Sequence, residues 1–315
     1  MNDAPILRLN WDEPPPPRCG GGALAVGNFD GVHLGHAHLV RELCGHATAV
    51  GGPAVVLSFD PHPLALLAPE KFQPTLNTAE DRVRYLKELG ATEVVLFRTS
   101  PELLRLTPQE FFERIVCGGF GARAVVEGFN FRFGRDRSGD TALLGELCRS
   151  AGVRFTVVPP FELNGVAVSS SRVRTALLAG DVTEAARLMN RHYSIRGTVG
   201  TGMQRGRTLG FPTANLEGVE TLLPGDGVYA VRVQWNDQRW GGAANVGPNP
   251  TFGERARKIE VHLIDFHGDL YGATLAVEFV AHLRGTRPFS GPAELVEQLH
   301  RDVNESRLRL SGVPT

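Results

Sequence analysis

This 315-residue sequence has few cysteines, a net charge close to zero and no long apolar run. Its four cysteines include no Cys-x-x-Cys pair, which argues against a zinc site and a disulfide framework and favours reduced thiols. The formal net charge of −1 gives no electrostatic reason to bind nucleic acid or an anionic membrane. No stretch has the length of a transmembrane helix, and the first residues lack the apolar segment of a secretory signal. We therefore expect a cytoplasmic protein without nucleic-acid or membrane partners.

Two common nucleotide-binding patterns are missing as well. The sequence contains no Gly-x-x-x-x-Gly-Lys-Ser/Thr P-loop. Gly200-x-Gly202 is followed by Arg205 and Gly206, so the Gly-x-Gly-x-x-Gly fingerprint is absent too. A nucleotide site in this chain must therefore be built from other residues.

The composition and the segment pattern predict two domains of different class. Apolar residues make up 42% of the sequence and charged residues 21%, which is typical of a globular protein, and the length favours two domains. In the first half, continuous apolar segments alternate with helical ones, which predicts a parallel sheet with helices on both faces. After Tyr193 the segments become short and alternating, which is typical of a small antiparallel barrel or sandwich.

The end of the chain predicts an amphipathic helix from Leu295 to Leu308. Its expected apolar stripe is formed by Leu295, Leu299, Val303 and Leu308. With the boundary placed near residues 185–192, we expect an α/β domain over residues 1–187. A β-barrel domain with a terminal helix is expected over residues 188–315.

The densest motif follows the apolar run Ala23–Val26 and reads Gly-Asn-Phe-Asp-Gly-Val-His-Leu-Gly-His over residues 27–36. An apolar run that breaks into glycines and then resumes predicts a strand, a tight turn and a helix, whose N-terminus favours phosphate. His33 and His36 are three residues apart and so share a helix face. Two imidazoles there suit the charge that develops when the α-phosphorus of a nucleoside triphosphate is attacked. The alternative, half of a zinc site, would need two further ligands at a recognisable spacing.

The carboxyl half contains a second motif, Gly-Arg-Thr-Leu-Gly-Phe-Pro-Thr-Ala-Asn-Leu over residues 206–216. Its glycines could cradle phosphates, and Thr213, with Asn215 close by, could bind Mg²⁺. A barrel turn with exposed polar residues fits this segment about equally well. Glu260 lies in an alternating strand, Ile259–Ile264, on the face opposite Ile259 and Val261. A carboxylate there could accept the proton of an alcohol that attacks a γ-phosphate, and taken alone it would be a solvated surface residue.

Taken together, the two halves resemble the bacterial bifunctional riboflavin kinase/FMN adenylyltransferases, also called FAD synthetases. The resemblance extends from about Gly22 to Val303. In the amino half it rests on residues 27–36, 59–63, 128–134 and 169–174. In the carboxyl half it rests on residues 206–216, 227–229, 245–252, 260–262 and 270–272.

The resemblance implies that the amino half is a Rossmann-like nucleotidylyltransferase domain that converts FMN and ATP to FAD and pyrophosphate. His33 and His36 would bind the ATP phosphates and stabilise the transition state, and Ser170 and Arg174 would hold the departing pyrophosphate. The phosphate-binding residues implied in this half are Gly27, Asn28, Phe29, Asp30, Ser170, Ser171 and Arg174. The flavin-binding residues implied are Phe59, Pro61, His62, Asn130 and Arg132.

For the carboxyl half the resemblance implies a riboflavin kinase that converts riboflavin and ATP to FMN. Gly206 and Arg207 would contact phosphates. Thr213 and Asn215 would hold Mg²⁺ and phosphates, and Glu260 would be the general base. The implied small-molecule partners are riboflavin, FMN and ATP, with FMN and FAD as products.

Two other functions are compatible with parts of the sequence. A nucleotidylyltransferase for a different acceptor would explain the amino motif, but it would leave the carboxyl motifs unexplained. A flavin-binding protein without catalysis would have no evident need for His33, His36, Thr213, Asn215 and Glu260 together.

Overall fold

The computed structural model describes residues 6–201, 210–248 and 257–312. The chain divides into two compact units, Met1–Ser169 and Ser170–Thr315. The domain border expected between residues 187 and 188 falls near the end of a helix of the second unit, and it stays a prediction. No helix within the described ranges is both long and apolar enough to cross a membrane.

The first unit is built on a six-stranded sheet, counted over the described residues, with the order β1-β4-β3-β2-β5-β6. All neighbouring strands are parallel. The chain runs outward from β2 on one side and returns to the other side at β5, so the strand order switches between β2 and β5. The strands are β1 (Leu7–Leu9), β2 (Ala23–Val26), β3 (Ala54–Asp60), β4 (Glu93–Arg98), β5 (Ala124–Gly128) and β6 (Arg154–Val158).

Both faces of this sheet are buried, as the continuous apolar strands predict. Leu24 and Val26 belong to one apolar cluster, whereas Ala23 and Ala25 belong to another, because successive side chains point to opposite faces. The helices of the unit are α1 (Leu34–Val50), α2 (Pro63–Leu67), α3 (Ala79–Glu88), α4 (Pro101–Arg105), α5 (Pro108–Phe111) and α6 (Thr141–Ala151), of which all except α2 contribute buried residues. A π-helical segment, Phe112–Gly119, follows α5, and a short hairpin of β7 (Glu162–Leu163) and β8 (Val166–Ala167) ends the unit.

The second unit is a closed barrel of antiparallel strands in the order β10-β13-β12-β11-β14-β9. The barrel, and not the sandwich, is therefore the correct alternative. Its strands are β9 (Tyr193–Gly200), β10 (Ala214–Glu217), β11 (Gly227–Trp235), β12 (Gln238–Gly247), β13 (Lys258–Leu263) and β14 (Thr274–Arg284). Two helices precede the barrel, α7 (Ser170–Leu178) and α8 (Val182–Met189), and α8 packs on β9 and β14.

The terminal helix α9 (Pro292–Ser311) packs on β11, β12 and β14. Its expected apolar stripe is wrong at Leu308, whose side chain is 68% exposed. Leu308 lies five residues beyond Val303, which places it about 140° around the helix. The buried positions of α9 are instead Asp302 and Ser306, and Asp302 accepts from the guanidinium of Arg284 at 2.7 Å.

Candidate active sites

Three of the predicted site segments leave one edge of the parallel sheet. Residues 27–33 follow β2, residues 61–62 follow β3, and residues 129–140 follow β5. Because these three strands are adjacent and parallel, their carboxyl ends meet beside the point where the strand order switches. Ligands of open α/β sheets bind at such a point, so this edge is the candidate nucleotide site of the first unit.

The two histidines of the first motif lie against each other at the N-terminus of α1. Their rings are stacked, with centroids 3.7 Å apart and an interplanar angle of 17°. His33 is the N-cap residue, and its backbone N–H donates to Nδ1 of His36 at 3.3 Å. Gly35 makes this packing possible, because a Cβ there would lie 3.1 Å from the His33 ring. The structure thus brings the two imidazoles together at the start of α1.

The loop that leads to these histidines has a strained backbone. Phe29 and Val32 have φ values of 48° and 38°, in the left-handed region that bulky and β-branched side chains avoid. Gly31 has a φ of 82° in the same loop. Such conformations cost on the order of 1–3 kcal/mol each and persist only where surrounding contacts impose them.

Two of those contacts come from the segment before α3. The backbone N–H of Leu76 donates to Oδ1 of Asp30 at 2.7 Å, and the backbone N–H of Gly31 donates to Oδ1 of Asn77 at 2.6 Å. Asp30 and Asn77 are both buried. Asp30, predicted to bind phosphate, therefore fixes the loop through Leu76. Leu76 and Asn77 were not singled out from the sequence.

A buried arginine joins two of the site segments. Arg82 on α3 is 3% exposed, and its Nη1 donates to the carbonyl oxygens of Asn28 and Phe59 at 3.2 and 2.8 Å, and to Oγ of Ser58 at 2.8 Å. Burial lowers the pKa of Arg82, and the negative charge of Asp30 opposes that shift. The sequence held one signal for this role. Arg82 precedes the core residue Leu86 by four positions and so shares its buried helix face.

A buried carboxyl group lies where β2 and β5 separate. Glu127 is 1% exposed, and its Oε1 accepts from the backbone N–H of Val26 at 2.7 Å. Ladder pairing between the two strands covers only Ala23 and Leu24 on β2, so this side chain serves the backbone of Val26 in place of a strand partner. Burial raises the pKa of Glu127 well above its usual range, and the bond from Val26 opposes that rise.

The residues predicted to bind flavin lie at the end of β3 and in the segments that follow β3 and β5. Phe59 is half-buried, Pro61 is exposed, and Nδ1 of His62 accepts from the backbone N–H of Leu64, which caps α2. Asn130 and Arg132 are exposed in the segment after β5. Arg132 pairs with Asp140, the N-cap of α6, at 3.5 Å.

Ser170, Ser171 and Arg174 form the start of α7, within the second compact unit. Ser170 and Arg174 are half-buried and Ser171 is exposed. Arg172, between them, pairs with Glu184 on α8 at 2.7 Å. The residues predicted to bind pyrophosphate therefore lie on a helix that an ion pair joins to α8.

In the barrel, strand register places the predicted residues side by side. Asn215 on β10 lies directly opposite Glu260 on β13, and Asn245 on β12 lies directly opposite Glu260 from the other side. Opposed residues of antiparallel strands project from the same face. Burial alternates along β13, with Ile259, Val261 and Leu263 buried and Glu260 half-buried, as the strand pattern predicts. Asn215, Glu260 and Asn245 thus form a row on the outer face, hereafter the polar row.

A cavity of about 520 Å³ adjoins this region. Thr213, which precedes β10, lines it together with Pro212 and Leu263. Phe266 and Tyr271, from the segment after β13, supply aromatic surface. Gly206 and Arg207, predicted to bind phosphate, lie outside the described residues.

Thr213 and Asn215 provide the kind of donor that magnesium prefers. Mg²⁺ takes oxygen ligands, keeps several waters, and is usually held by one or two protein groups plus substrate phosphates. The Thr213 hydroxyl and the Asn215 amide offer such oxygens, and Thr213 lines the cavity of about 520 Å³. Within the described ranges, no group of three His, Cys, Asp or Glu side chains is placed to hold a metal.

A parallel α/β unit with paired histidines at a helix N-terminus, followed by a closed barrel with a carboxylate between two amides, defines an ATP-dependent transferase of two domains. Residues 17–172 match the family model of FAD synthetase, and residues 189–310 match that of riboflavin kinase. The chain belongs to the family of the bifunctional riboflavin kinase/FMN adenylyltransferases.

Two relatives of that name extend over most of the chain. The protein from Pseudomonas fluorescens is 37% identical over 283 residues, covering 90% of this chain and 91% of the relative. The protein from Bacillus subtilis is 35% identical over 290 residues, covering 90% of each.

A solved structure agrees with the fold of the whole chain. The crystal structure described as a macrolide-efflux protein from Streptococcus pneumoniae aligns with a TM-score of 0.85 and 33% identity, covering 96% of this chain and 99% of that one. The fold class predicted from the sequence, a parallel α/β domain and an antiparallel barrel with a terminal helix, is confirmed.

Proposed function

We propose that each of the two reactions of this family is carried out by one of the two sites described above. The carboxyl-terminal domain phosphorylates riboflavin with ATP to give FMN, and the amino-terminal domain transfers an adenylyl group from ATP to FMN, giving FAD and pyrophosphate. The single observation that carries the assignment is that one chain contains both kinds of site. One has stacked imidazoles at a helix N-terminus, and the other has a carboxylate flanked by amides on the barrel.

In adenylyl transfer, a phosphate oxygen of FMN attacks the α-phosphorus of ATP, and negative charge builds up on the phosphoryl oxygens. His33, His36 and the free N–H groups at the start of α1 stabilise that charge, and Gly27, Asn28, Phe29 and Asp30 shape the loop around it. Ser170, Ser171 and Arg174 hold the departing pyrophosphate with hydroxyl and guanidinium donors. Phe59, Pro61, His62, Asn130 and Arg132 contact FMN from the neighbouring loops. The strained and clamped loop supports this role, because a fixed array of donors needs no rearrangement during the reaction.

In phosphoryl transfer, the terminal ribityl hydroxyl attacks the γ-phosphorus of ATP. Glu260 accepts the hydroxyl proton as general base, and Thr213 and Asn215 would hold Mg²⁺ against the ATP phosphates, with Gly206 and Arg207 contributing further phosphate contacts. When bound, Mg²⁺ neutralises triphosphate charge and orients the phosphoryl groups. The cavity beside Thr213 has the size and aromatic surface to take the adenosine of ATP.

A crossed pair of variants tests the assignment. Each half reaction is measured separately by chromatography of the flavins, with either riboflavin or FMN supplied together with ATP and MgCl₂. We expect His36→Ala to lower FAD formation by about 10²–10³-fold while FMN formation continues. Glu260→Gln is expected to lower FMN formation by about 10²–10⁴-fold while FAD still forms from supplied FMN.

Matched controls are His38→Ala on the same helix and Glu217→Gln on β10, both of which should leave the two reactions near the parent rate. A folded variant that lost both reactions would show that the division between the domains is wrong. Retention of FAD formation by His36→Ala, or of FMN formation by Glu260→Gln, would remove that residue from the mechanism.

The proposal includes a cytoplasmic location. All four cysteines are free thiols, and burial raises the pKa of the Cys148 thiol to about 12, which makes it inert. Reduced cysteines suit a reducing compartment. Cell fractionation with detection of the chain would test this, and recovery of the chain outside the cytoplasm would contradict it.

A further inference from the structure

The polar row contains one group for which the assignment above gives no role. The Nδ2 atom of Asn245 is buried, and it has no hydrogen-bond partner among the described residues. An unpaired buried amide donor costs free energy, so natural proteins seldom keep one without a reason. A ligand oxygen that arrives with the substrate is such a reason.

The strand neighbours of Asn245 are the proposed base and an apolar residue. From its position on β12, Asn245 lies opposite Glu260 of β13 on one side and opposite the apolar Val228 of β11 on the other. Along its own strand, Ala244 and Val246 are buried and point to the opposite face. The donor therefore lies between the proposed base and apolar surface, with no acceptor from the β11 side.

The order of the polar row separates donor and acceptor substrates. Asn215, on one side of Glu260, belongs to the proposed nucleotide and Mg²⁺ site. Phosphoryl transfer places the attacking oxygen and the leaving oxygen on opposite sides of the phosphorus. The acceptor alcohol must therefore approach Glu260 from the side away from the nucleotide, which is the side of Asn245.

Building on the proposed role of Glu260, we propose that Asn245 binds the ribityl chain of riboflavin. Its Nδ2 donates to a secondary hydroxyl of the chain and so holds the terminal hydroxyl against Glu260. The ligand class that this position selects is a polyol carrying a primary alcohol at its end.

The test combines two variants with substrates that lack single hydroxyls. Asn245→Ala removes the side chain, and Asn245→Asp keeps its shape while removing the donor. We expect both to raise the KM for riboflavin about ten-fold or more and to leave the KM for ATP unchanged. For the parent, one of the 2′-, 3′- and 4′-deoxyriboflavins should lose a similar factor in kcat/KM, whereas for Asn245→Ala that analogue and riboflavin should be used equally well.

Thermal unfolding separates binding from a structural role. Because the donor has no partner within the described residues, Asn245→Ala should not lower the unfolding temperature, whereas loss of a structural hydrogen bond would. Asn304→Ala, an exposed asparagine on α9, is the control and should change nothing. FAD formation from supplied FMN checks that the chain is folded.

Two results would overturn the inference: an effect confined to the KM for ATP, or equal analogue losses in parent and variant. The proposed role of Glu260 fails separately, if Glu260→Gln keeps kinase activity. In that case the deoxyriboflavin comparison still decides whether Asn245 contacts the acceptor.

Discussion

The two units place their reactive groups on different kinds of backbone. In the α/β unit the stacked histidines follow a loop with left-handed residues, and that loop is held by Asp30, Asn77 and Arg82. In the barrel the proposed base and both amides sit on regular strands, and ladder hydrogen bonds alone set their spacing. The roles proposed for both sites nevertheless concern attack on a phosphorus atom of ATP.

This difference shows two ways of fixing groups before a reaction. A loop needs contacts from distant parts of the chain, since its own backbone conformation is unfavourable. A strand needs only the correct register, because opposed residues lie about 4.5–5.5 Å apart by geometry. Damage to the first site should therefore come from remote substitutions, and damage to the second from changes within the row itself.

Removal of the arginine clamp should have the largest effect. Arg82→Met deletes three hydrogen bonds in a buried setting, two of which reach the carbonyl oxygens of Asn28 in the loop and of Phe59 at the end of β3. We expect the α/β unit to lose about 3–5 kcal/mol of stability and FAD formation to fall steeply, while FMN formation continues. The measurements are urea unfolding and both half reactions. Arg84→Met, an exposed position on the same helix, is the control, and an equal loss there would contradict the clamp.

A shorter carboxylate tests whether register alone positions the base. Glu260→Asp keeps the charge and the strand but withdraws the oxygens by about one methylene. A misplacement of about 1 Å can cost roughly 10²-fold, so we expect a fall of that order in kcat for FMN formation. Steady-state kinetics with saturating riboflavin and ATP measures it. Full activity of Glu260→Asp would mean that the strand does not set the distance, whereas Glu217→Asp on β10 should be neutral.

Two glycines with positive φ separate the effect of side-chain overlap in the loop from the cost of the backbone conformation itself. Gly31 and Gly51 have φ values of 82° and 67°, but a Cβ at Gly31 would meet Cδ1 of Leu76 at 2.8 Å, whereas nothing lies within 4 Å at Gly51. Both alanine variants should lose about 1–3 kcal/mol from the backbone term. Only Gly31→Ala should also lower FAD formation. Equal activity losses in the two variants would indicate that the overlap with Leu76 is irrelevant.

The smallest expected effect is a pH dependence from Glu127. Its pKa is raised in the folded state, so the folded chain keeps a proton that the unfolded chain loses above its ordinary carboxyl pKa. Stability should therefore fall gradually as pH rises above that ordinary carboxyl pKa. Glu127→Gln, which keeps an acceptor for Val26, should remove that slope. Urea unfolding of both proteins at several pH values measures it, and parallel curves would contradict the assignment.

Much of the fold was predictable because its signals are local. Continuous apolar runs separated by helices predicted the parallel sheet. Thr78 caps α3 through a bond of the same local kind, in which its Oγ1 accepts from the backbone N–H of Asp81 at 3.1 Å. The edge strand β1 and the exposure of Leu308 were not foreseen, since a three-residue strand carries little pattern and a helical stripe drifts over several turns. The clamps escaped prediction for a related reason: Leu76 and Asn77 act on residues 46 positions away.

The sequence by itself determined the two fold classes, the family, and the residue types available at each site, because periodicity and motifs are written in neighbouring positions. Tertiary structure alone decided that β2 lies between β3 and β5, and that Arg82 links the loop after β2 to the end of β3. It also decided that Asn245 stands beside Glu260, with no hydrogen-bond partner for its Nδ2 among the residues that the structure describes. Strand order and register follow from how all segments pack together, and that packing joins residues between which the chain carries no local pattern.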